Sequence, residues 1–150
     1  MRNRIKVPVK PLKSLTGSPL GVIDFHSNRS PRRGVFICEV FRSHGVVANA
    51  YEPVLRGFGS IRLYLQWPGY TATAYQATIH CAQLTKAELA RKICDSIAQL
   101  LQKCLTQPVS SNYAEWRVGP DAIRVEDVVL VSIFEVGEGT WQAQLELEIR

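Results

Sequence analysis

Two independent helix-start signals occur together near the middle of the chain. Thr85 and Glu88 have the spacing of a capping box, in which each side chain bonds the other residue's free backbone N–H. Leu84 and Leu89 bracket them with the spacing of a hydrophobic staple. Apolar residues then recur at helical spacing for several turns, until a proline interrupts the pattern. The sequence therefore predicts one long helix over about residues 86–105.

Two-residue periodicity, the pattern of a strand with one buried face, lies on both sides of this helix. Residues 60–67 and 71–82 alternate on either side of a Pro-Gly turn signal. The apolar run 128–136 is followed by the alternating segment 141–149. We therefore expect an α+β fold with a largely antiparallel sheet, made of a hairpin, one long helix and a second hairpin, with the helix packed on one face of the sheet.

The segment Val35–Phe41 is short, apolar, and rich in β-branched and aromatic residues, and we interpret it as a further strand. Residues 42–59 are interrupted by glycine and proline, which favours a loop. A chain of 150 residues suits one domain with its own hydrophobic core.

Positive charge is concentrated at the amino terminus. Residues 1–34 contain eight basic residues and one acidic residue, whereas residues 35–150 contain ten basic and twelve acidic residues. Proline and serine are frequent in the first segment and large apolar side chains are scarce, a composition typical of disorder. We therefore divide the chain into a disordered basic arm, residues 1–34, and a single α+β domain, residues 35–150.

The basic arm offers candidate contacts for a polyanion. Its cationic side chains suit the phosphates of a nucleic acid or the surface of an acidic partner, and its Ser-Pro-Arg-Arg sequence resembles a turn of DNA minor-groove-binding tails. The same four residues resemble a site for proline-directed kinases, so phosphorylation of Ser30 is a second interpretation. The residues that we assign to nucleic-acid or acidic-partner contacts are Arg29, Arg32, Arg33, Lys10 and Lys13.

Residues 56–59, Arg-Gly-Phe-Gly, resemble the start of the RNP1 octamer of the RNA recognition motif, in which aromatic side chains stack on bases. Ser60 and Leu63 stand where that family places its later aromatic residues. We favour the alternative, a turn that leads into the following strand.

The sequence contains no complete catalytic or metal-binding signature. Cys38, Cys81, Cys94 and Cys104 lack the spacing of a zinc site, and we predict that they are reduced core thiols. His80 precedes Cys81, but neighbouring strand residues point to opposite faces, so His80 cannot serve as its base. We therefore expect no metal, no cofactor and no catalytic residues.

Two tyrosines are candidate protein-interface residues. Tyr64 and Tyr113 fall on polar or unassigned faces of the predicted elements, so neither is assigned to the core. The polar phase of the last predicted strand consists of Gln142, Gln144, Glu146 and Glu148. If that strand lies at the sheet edge, its unpaired backbone groups favour strand addition or a homodimer.

Four segments together resemble small uncharacterised proteins from mushroom-forming fungi. They are residues 65–70 (Leu-Gln-Trp-Pro-Gly-Tyr), 84–90 (Leu-Thr-Lys-Ala-Glu-Leu-Ala), 116–120 (Trp-Arg-Val-Gly-Pro) and 139–143 (Gly-Thr-Trp-Gln-Ala). The resemblance covers residues 60–145. It implies a fungal source and a shared α+β domain, and it brings no activity and no site residues.

These observations favour a non-enzymatic protein-interaction module with a basic amino-terminal arm, whose partner is another protein or a second copy of the chain. Nucleic-acid binding through the arm is the alternative hypothesis, and an enzyme is the third. No apolar run is long enough to span a membrane, and the first residues lack the apolar region of a secretory signal. We therefore expect an intracellular protein, cytoplasmic or nuclear, without a membrane partner.

Overall fold

The structure is a computed structural model that describes residues 3–9, 21–70 and 73–149. Its strands are β1 (Arg4–Lys6), β2 (Val22–Asp24), β3 (Val35–Phe36), β4 (Ser60–Gln66), β5 (Ala74–His80), β6 (Val128–Gly137) and β7 (Thr140–Glu148). Its α-helices are α1 (Ile37–Arg42) and α2 (Lys86–Cys104). Short 3₁₀ helices cover His44–Val46, Ser111–Trp116 and Val125–Asp127. The predicted α+β class is confirmed.

All of these strands belong to one sheet, in which the order along the main path is β2-β6-β7-β4-β5. β3 also pairs with β6, and β1 also pairs with β7. β4 and β7 run parallel, so the sheet is mixed rather than largely antiparallel as predicted. The parallel pair forms because the chain crosses over through α2 before β7 returns beside β4, and parallel neighbours need such a crossover.

The helix α2 begins at the predicted capping box. The Thr85 Oγ1 accepts a hydrogen bond from the Glu88 backbone N–H at 3.3 Å, and the Glu88 carboxylate accepts one from the Thr85 N–H at 3.2 Å. The buried face of the helix and the buried residues of the sheet form one hydrophobic core, which includes Leu89, Ile93, Ile97, Leu63, Leu130 and Leu145. No helix in the described residues is long and apolar enough to cross a membrane.

The described parts of the predicted arm belong to the sheet, so the prediction of a disordered arm is wrong for residues 3–9 and 21–34. β1 pairs antiparallel with β7, and β2 pairs antiparallel with β6. Val7 is 2% exposed and Phe25 is fully buried. Each segment alone is poor in apolar residues, but the few that it has are buried against a core that the rest of the chain forms.

No domain boundary lies between residues 34 and 35 in the structure. β2 precedes this position and β3 follows it, and both strands pair with β6. Gly34 (φ +91°) joins them where its Cα lies so close to β6 that a Cβ would be 2.5 Å from Val129 Cγ1. The remaining part of the predicted arm lies outside the described residues.

The predicted strand Val35–Phe41 is wrong beyond its first two residues, because the chain turns into the helix α1 at Ile37. Ile37 and Val40 are buried on one side of that helix. The Arg91 guanidinium of α2 lies 5.1 Å from the ring centre of Phe41. A short apolar run is compatible with both periodicities, and packing against α2 favours the helical one here.

Candidate interaction surface

β5 is the edge strand that follows β4 in the sheet. Its side chains alternate between the core and the solvent: Ile79 is buried, Tyr75 and Ala77 are half-buried, and Gln76 and Thr78 are exposed. On the core side, the Tyr75 hydroxyl donates a hydrogen bond of 2.7 Å to the Gln99 side-chain oxygen of α2. The helix α2 therefore contacts the edge strand on its core side.

The backbone groups of Gln76 and Thr78 point away from β4. Thr78 lies directly opposite Arg62 of β4. The Arg62 N–H points away from β5 and donates a hydrogen bond of 2.8 Å to Gly139 O, so Arg62 and Thr78 form a non-hydrogen-bonded pair. Cys81, three residues beyond Thr78, donates its N–H towards β4, to Gly59 O at 3.1 Å. Because peptide groups alternate in direction along an antiparallel strand, even-numbered residues of β5 direct their N–H and C=O groups outward.

β5 also lacks the features that normally protect an edge strand. Its seven residues, Ala-Tyr-Gln-Ala-Thr-Ile-His, include no lysine, arginine, carboxylate or proline, and its register with β4 has no bulge. Native proteins place such features on edges to prevent pairing with other chains. Within the part of the chain that the structure describes, an unprotected edge of this length is therefore available for strand addition.

The opposite edge of the sheet, beside β6, is protected. β2 has three residues, and its Asp24 forms an ion pair of 2.7 Å with Arg33, which lies in the turn between β2 and β3. β3 has two residues and continues directly into α1. Short strands and charged side chains both oppose further pairing at this edge.

A strip of exposed and half-exposed side chains adjoins the β5 edge on the sheet face turned away from α2. We call Arg62, Tyr64, Gln76 and Thr78 the outer strip. Arg62 faces Thr78 and Tyr64 faces Gln76 across the β4–β5 ladder. The Arg62 guanidinium is oriented by a 3.0 Å hydrogen bond to Thr140 Oγ1. The predicted interface residue Tyr64 thus lies beside the open edge.

The second predicted interface residue, Tyr113, lies on a different part of the molecule. It belongs to the 3₁₀ helix Ser111–Trp116 and is 43% exposed. Its Cβ contacts the turn at Gly69, where φ is +85° and an added Cβ would lie 2.7 Å from Tyr113 Cβ. Tyr113 therefore lies against the turn at Gly69, and it is not one of the residues of the outer strip.

The homodimer hypothesis required the strand that contains Gln142, Gln144, Glu146 and Glu148 to lie at the edge of the sheet. This strand is β7, and the structure contradicts that condition. β7 lies inside the sheet, between β6 on one side and β4 and β1 on the other. Glu146 and Glu148 face Lys6 and Arg4 of β1. Among the described residues, the longest edge strand is β5 instead.

Three of the predicted polyanion contacts lie in the turn that joins β2 to β3. Arg29 is exposed, and Arg33 is paired with Asp24. Ser30 is half-buried, and its Oγ accepts a hydrogen bond of 3.2 Å from the Arg32 N–H. Arg29, Arg32 and Arg33 thus share one turn with Ser30. Lys10 and Lys13 lie outside the described residues.

The segment that resembles RNP1 forms the predicted turn. Gly57 has φ +91°, and the Phe58 ring packs edge-to-face against Trp141 with 6.1 Å between ring centres. The turn borders a cavity of about 540 Å³, whose wall includes the left-handed residues Leu55 (φ +56°) and Gln83 (φ +55°). Phe58 is therefore half-buried and packs against Trp141 at the wall of this cavity.

The cysteines have the properties of packing residues. All four are free, and three of them are buried. Burial raises the pKa of Cys38, Cys81 and Cys94, and it raises the pKa of Cys104 to about 11. A thiol that stays protonated at neutral pH is a poor nucleophile and a poor metal ligand. The described residues contain no group of three or more His, Cys, Asp or Glu side chains that could hold a metal ion.

Comparison of the chain with models of protein families, with curated proteins and with solved structures found no match. The interpretation of function therefore depends on the geometry of the chain itself. The resemblance to fungal proteins remains a prediction.

Proposed function

We propose that this protein is a non-enzymatic interaction module that binds other polypeptide chains by strand addition at the β5 edge. The single observation that supports this function is the combination of an uncharged seven-residue edge with outward-directed backbone groups at Gln76 and Thr78. Strand addition gains affinity from main-chain hydrogen bonds and specificity from the side chains on the two faces. The outer strip supplies one of those faces.

The side chains of the outer strip suit this role. Tyr64 offers a large aromatic surface with few rotatable bonds, which is a common anchor at protein interfaces. Arg62 is held in place by Thr140, so little conformational entropy is lost when it contacts a partner. An extended segment added at β5 would therefore meet a preformed backbone edge and a preformed side-chain surface.

The nucleic-acid alternative has less support from the described residues. The guanidinium of Arg33 is paired with Asp24 at 2.7 Å, and Arg4 lies between Glu146 and Glu148. Phosphates would have to compete with these carboxylates for the two guanidinium groups. Arg29 is exposed in the same turn, so phosphate contacts by this turn remain the second hypothesis.

The proposed function is tested by affinity purification from the source organism with three forms of the full chain. The first is the wild type and the second is Thr78→Pro, which blocks the outward N–H without removing a bond to β4. The third is Thr78→Val, a matched control that keeps the N–H. We expect proteins that bind the wild type and Thr78→Val but not Thr78→Pro.

Two results would contradict the proposed function. One is recovery of the same proteins with all three forms, which would place the contact away from the β5 edge. The other is recovery of material that nuclease treatment removes, which would favour the nucleic-acid hypothesis.

A further inference from the structure

We infer that the occupant of the β5 edge is a second copy of this chain, added antiparallel so that the two sheets continue across a two-fold axis at Ala77. This inference rests on the proposed function, because it names the partner of the same edge. It follows from the self-complementary sequence of β5 and from the protection of the opposite edge.

The outward-directed residues of β5 match each other under this symmetry. With the axis at Ala77, Ala74 faces His80 of the second copy and Gln76 faces Thr78. Each of these residues directs its N–H and C=O groups outward, so each opposed pair has the geometry to exchange backbone hydrogen bonds. All seven residues of β5 are then paired, and no residue overhangs.

The side chains are also compatible. On the face towards α2, Tyr75 lies opposite Ile79 of the second copy, an aromatic and β-branched pair that stabilises antiparallel ladders. At the axis, the Ala77 residues of the two copies lie opposite each other as a non-hydrogen-bonded pair. The two backbones are closest at such a pair, and a small side chain fits there. No carboxylate, lysine or arginine of β5 faces a like charge, because the strand contains none.

The assembly would close at two copies. A two-fold axis through β5 uses the same edge of both chains, and isologous pairs of this kind are the commonest form of oligomer. In the described residues, the other edge strands are short: β1 and β2 have three residues each and β3 has two, and the Arg33–Asp24 ion pair lies beside β2, so these edges do not propagate the sheet. Addition of one strand pair is also a small interface, and small interfaces are typical of reversible association.

The experiment is sedimentation equilibrium of the full chain under reducing conditions, from about 1 µM to about 1 mM, the range in which weak association is measured. We expect the mass to rise with concentration from the 16.8 kDa of one chain towards twice that value and no further. Thr78→Val should behave as the wild type. Thr78→Lys places a charge at the edge and should weaken the association by at least about tenfold, which corresponds to about 1.4 kcal/mol.

Two controls keep this test independent of folding. Gln107→Lys adds the same charge at an exposed position beyond α2, and it should dimerise as the wild type does. Circular dichroism should show the same secondary structure in all variants, because the Thr78 side chain is exposed and its N–H is not used by β4.

The register is tested by cysteine cross-linking under mild oxidation. Ala77→Cys places two thiols opposite each other at a Cα separation of about 4.5 Å, within the range of a disulfide. Thr78→Cys faces Gln76 of the second copy instead, with its own counterpart on the diagonal at about 7 Å. We expect a covalent dimer from Ala77→Cys and none from Thr78→Cys or the wild type.

The inference is overturned if the wild type stays monomeric at all concentrations, or if Thr78→Lys dimerises as strongly as Gln107→Lys. A monomer that still captures another protein through Thr78-sensitive contacts would overturn the second copy as occupant and leave the proposed function standing. A dimer that forms while no protein is captured through that edge supports this inference and limits the proposed function to self-association.

Discussion

Arg4 lies beside Glu148 in a nearly closed environment. The Arg4 Nε is 3.6 Å from Glu148 Oε2, and the Arg4 side chain is 7% exposed. The guanidinium also lies 3.9 Å from Glu146 and 5.5 Å from the ring centre of Phe36. Arg4, a residue of the basic amino terminus, thus lies within the sheet, where its positive charge is close to two carboxylates of β7.

Replacement of Arg4 by alanine is expected to destabilise the fold by about 1–3 kcal/mol, because two neighbouring carboxylates lose their counter-ion while partly buried. Their partial exposure and the long separations keep the loss below that of a fully buried pair. Urea unfolding of Arg4→Ala, Glu148→Ala and the double variant measures the coupling. Purely additive effects would show that the two side chains do not interact.

Gly34→Ala is expected to destabilise the protein more than Gly57→Ala. Both glycines have φ +91°, so both alanines carry similar backbone strain, about 1 kcal/mol. At Gly34 the added Cβ would meet Val129 Cγ1 at 2.5 Å and Leu130 O at 3.1 Å, whereas at Gly57 nothing lies within 4 Å. Crowding should add about 1–3 kcal/mol at Gly34 alone. Equal midpoints of thermal unfolding would argue against the close approach of residue 34 to β6.

Thr85→Ala is expected to cost about 1 kcal/mol by removing half of the capping box of α2. Thr85→Ser keeps the hydroxyl that accepts the Glu88 N–H, so it should retain most of the stability. Denaturant midpoints of the two variants provide the comparison. The idea fails if serine and alanine are equally destabilising, since the loss would then come from the Thr85 methyl group.

The buried thiols are expected to make the fold sensitive to alkaline pH. Burial raises the pKa of Cys104 from 9.0 to about 11, so the unfolded state loses this proton before the folded state does. The stability contribution is complete below about pH 9 and is lost progressively as the pH rises towards 11. Unfolding free energies measured across this range should fall less steeply for Cys104→Ala than for the wild type. Parallel slopes would show that Cys104 does not titrate differently in the two states.

Local signals were sufficient to predict the central elements. The capping box at Thr85 and Glu88 specifies where α2 begins, and alternation specifies β4, β5 and β7, because each of these signals acts over a few neighbouring residues. The interface candidate Tyr64 followed from the same alternation, and the structure places it beside the open edge.

Long-range pairing could not be predicted from the same signals. β1 and β2 have three residues each, and they are strands because β7 and β6 lie beside them, not because of their own composition. The parallel pairing of β4 with β7 has no local signature either. For this reason the sequence alone indicated β7 as a possible edge, whereas the crossover places it inside the sheet and leaves β5 at the edge.

The most direct test of the open β5 edge is residue-resolved amide hydrogen exchange, measured by NMR at low and at high protein concentration. At low concentration we predict alternation: the amides of Ala77 and Ile79 exchange slowly because they bond to β4, and those of Gln76 and Thr78 exchange quickly. At high concentration Gln76 and Thr78 should become protected, because the second copy binds them. Slow exchange of Thr78 at every concentration, or fast exchange that concentration never changes, would contradict the account.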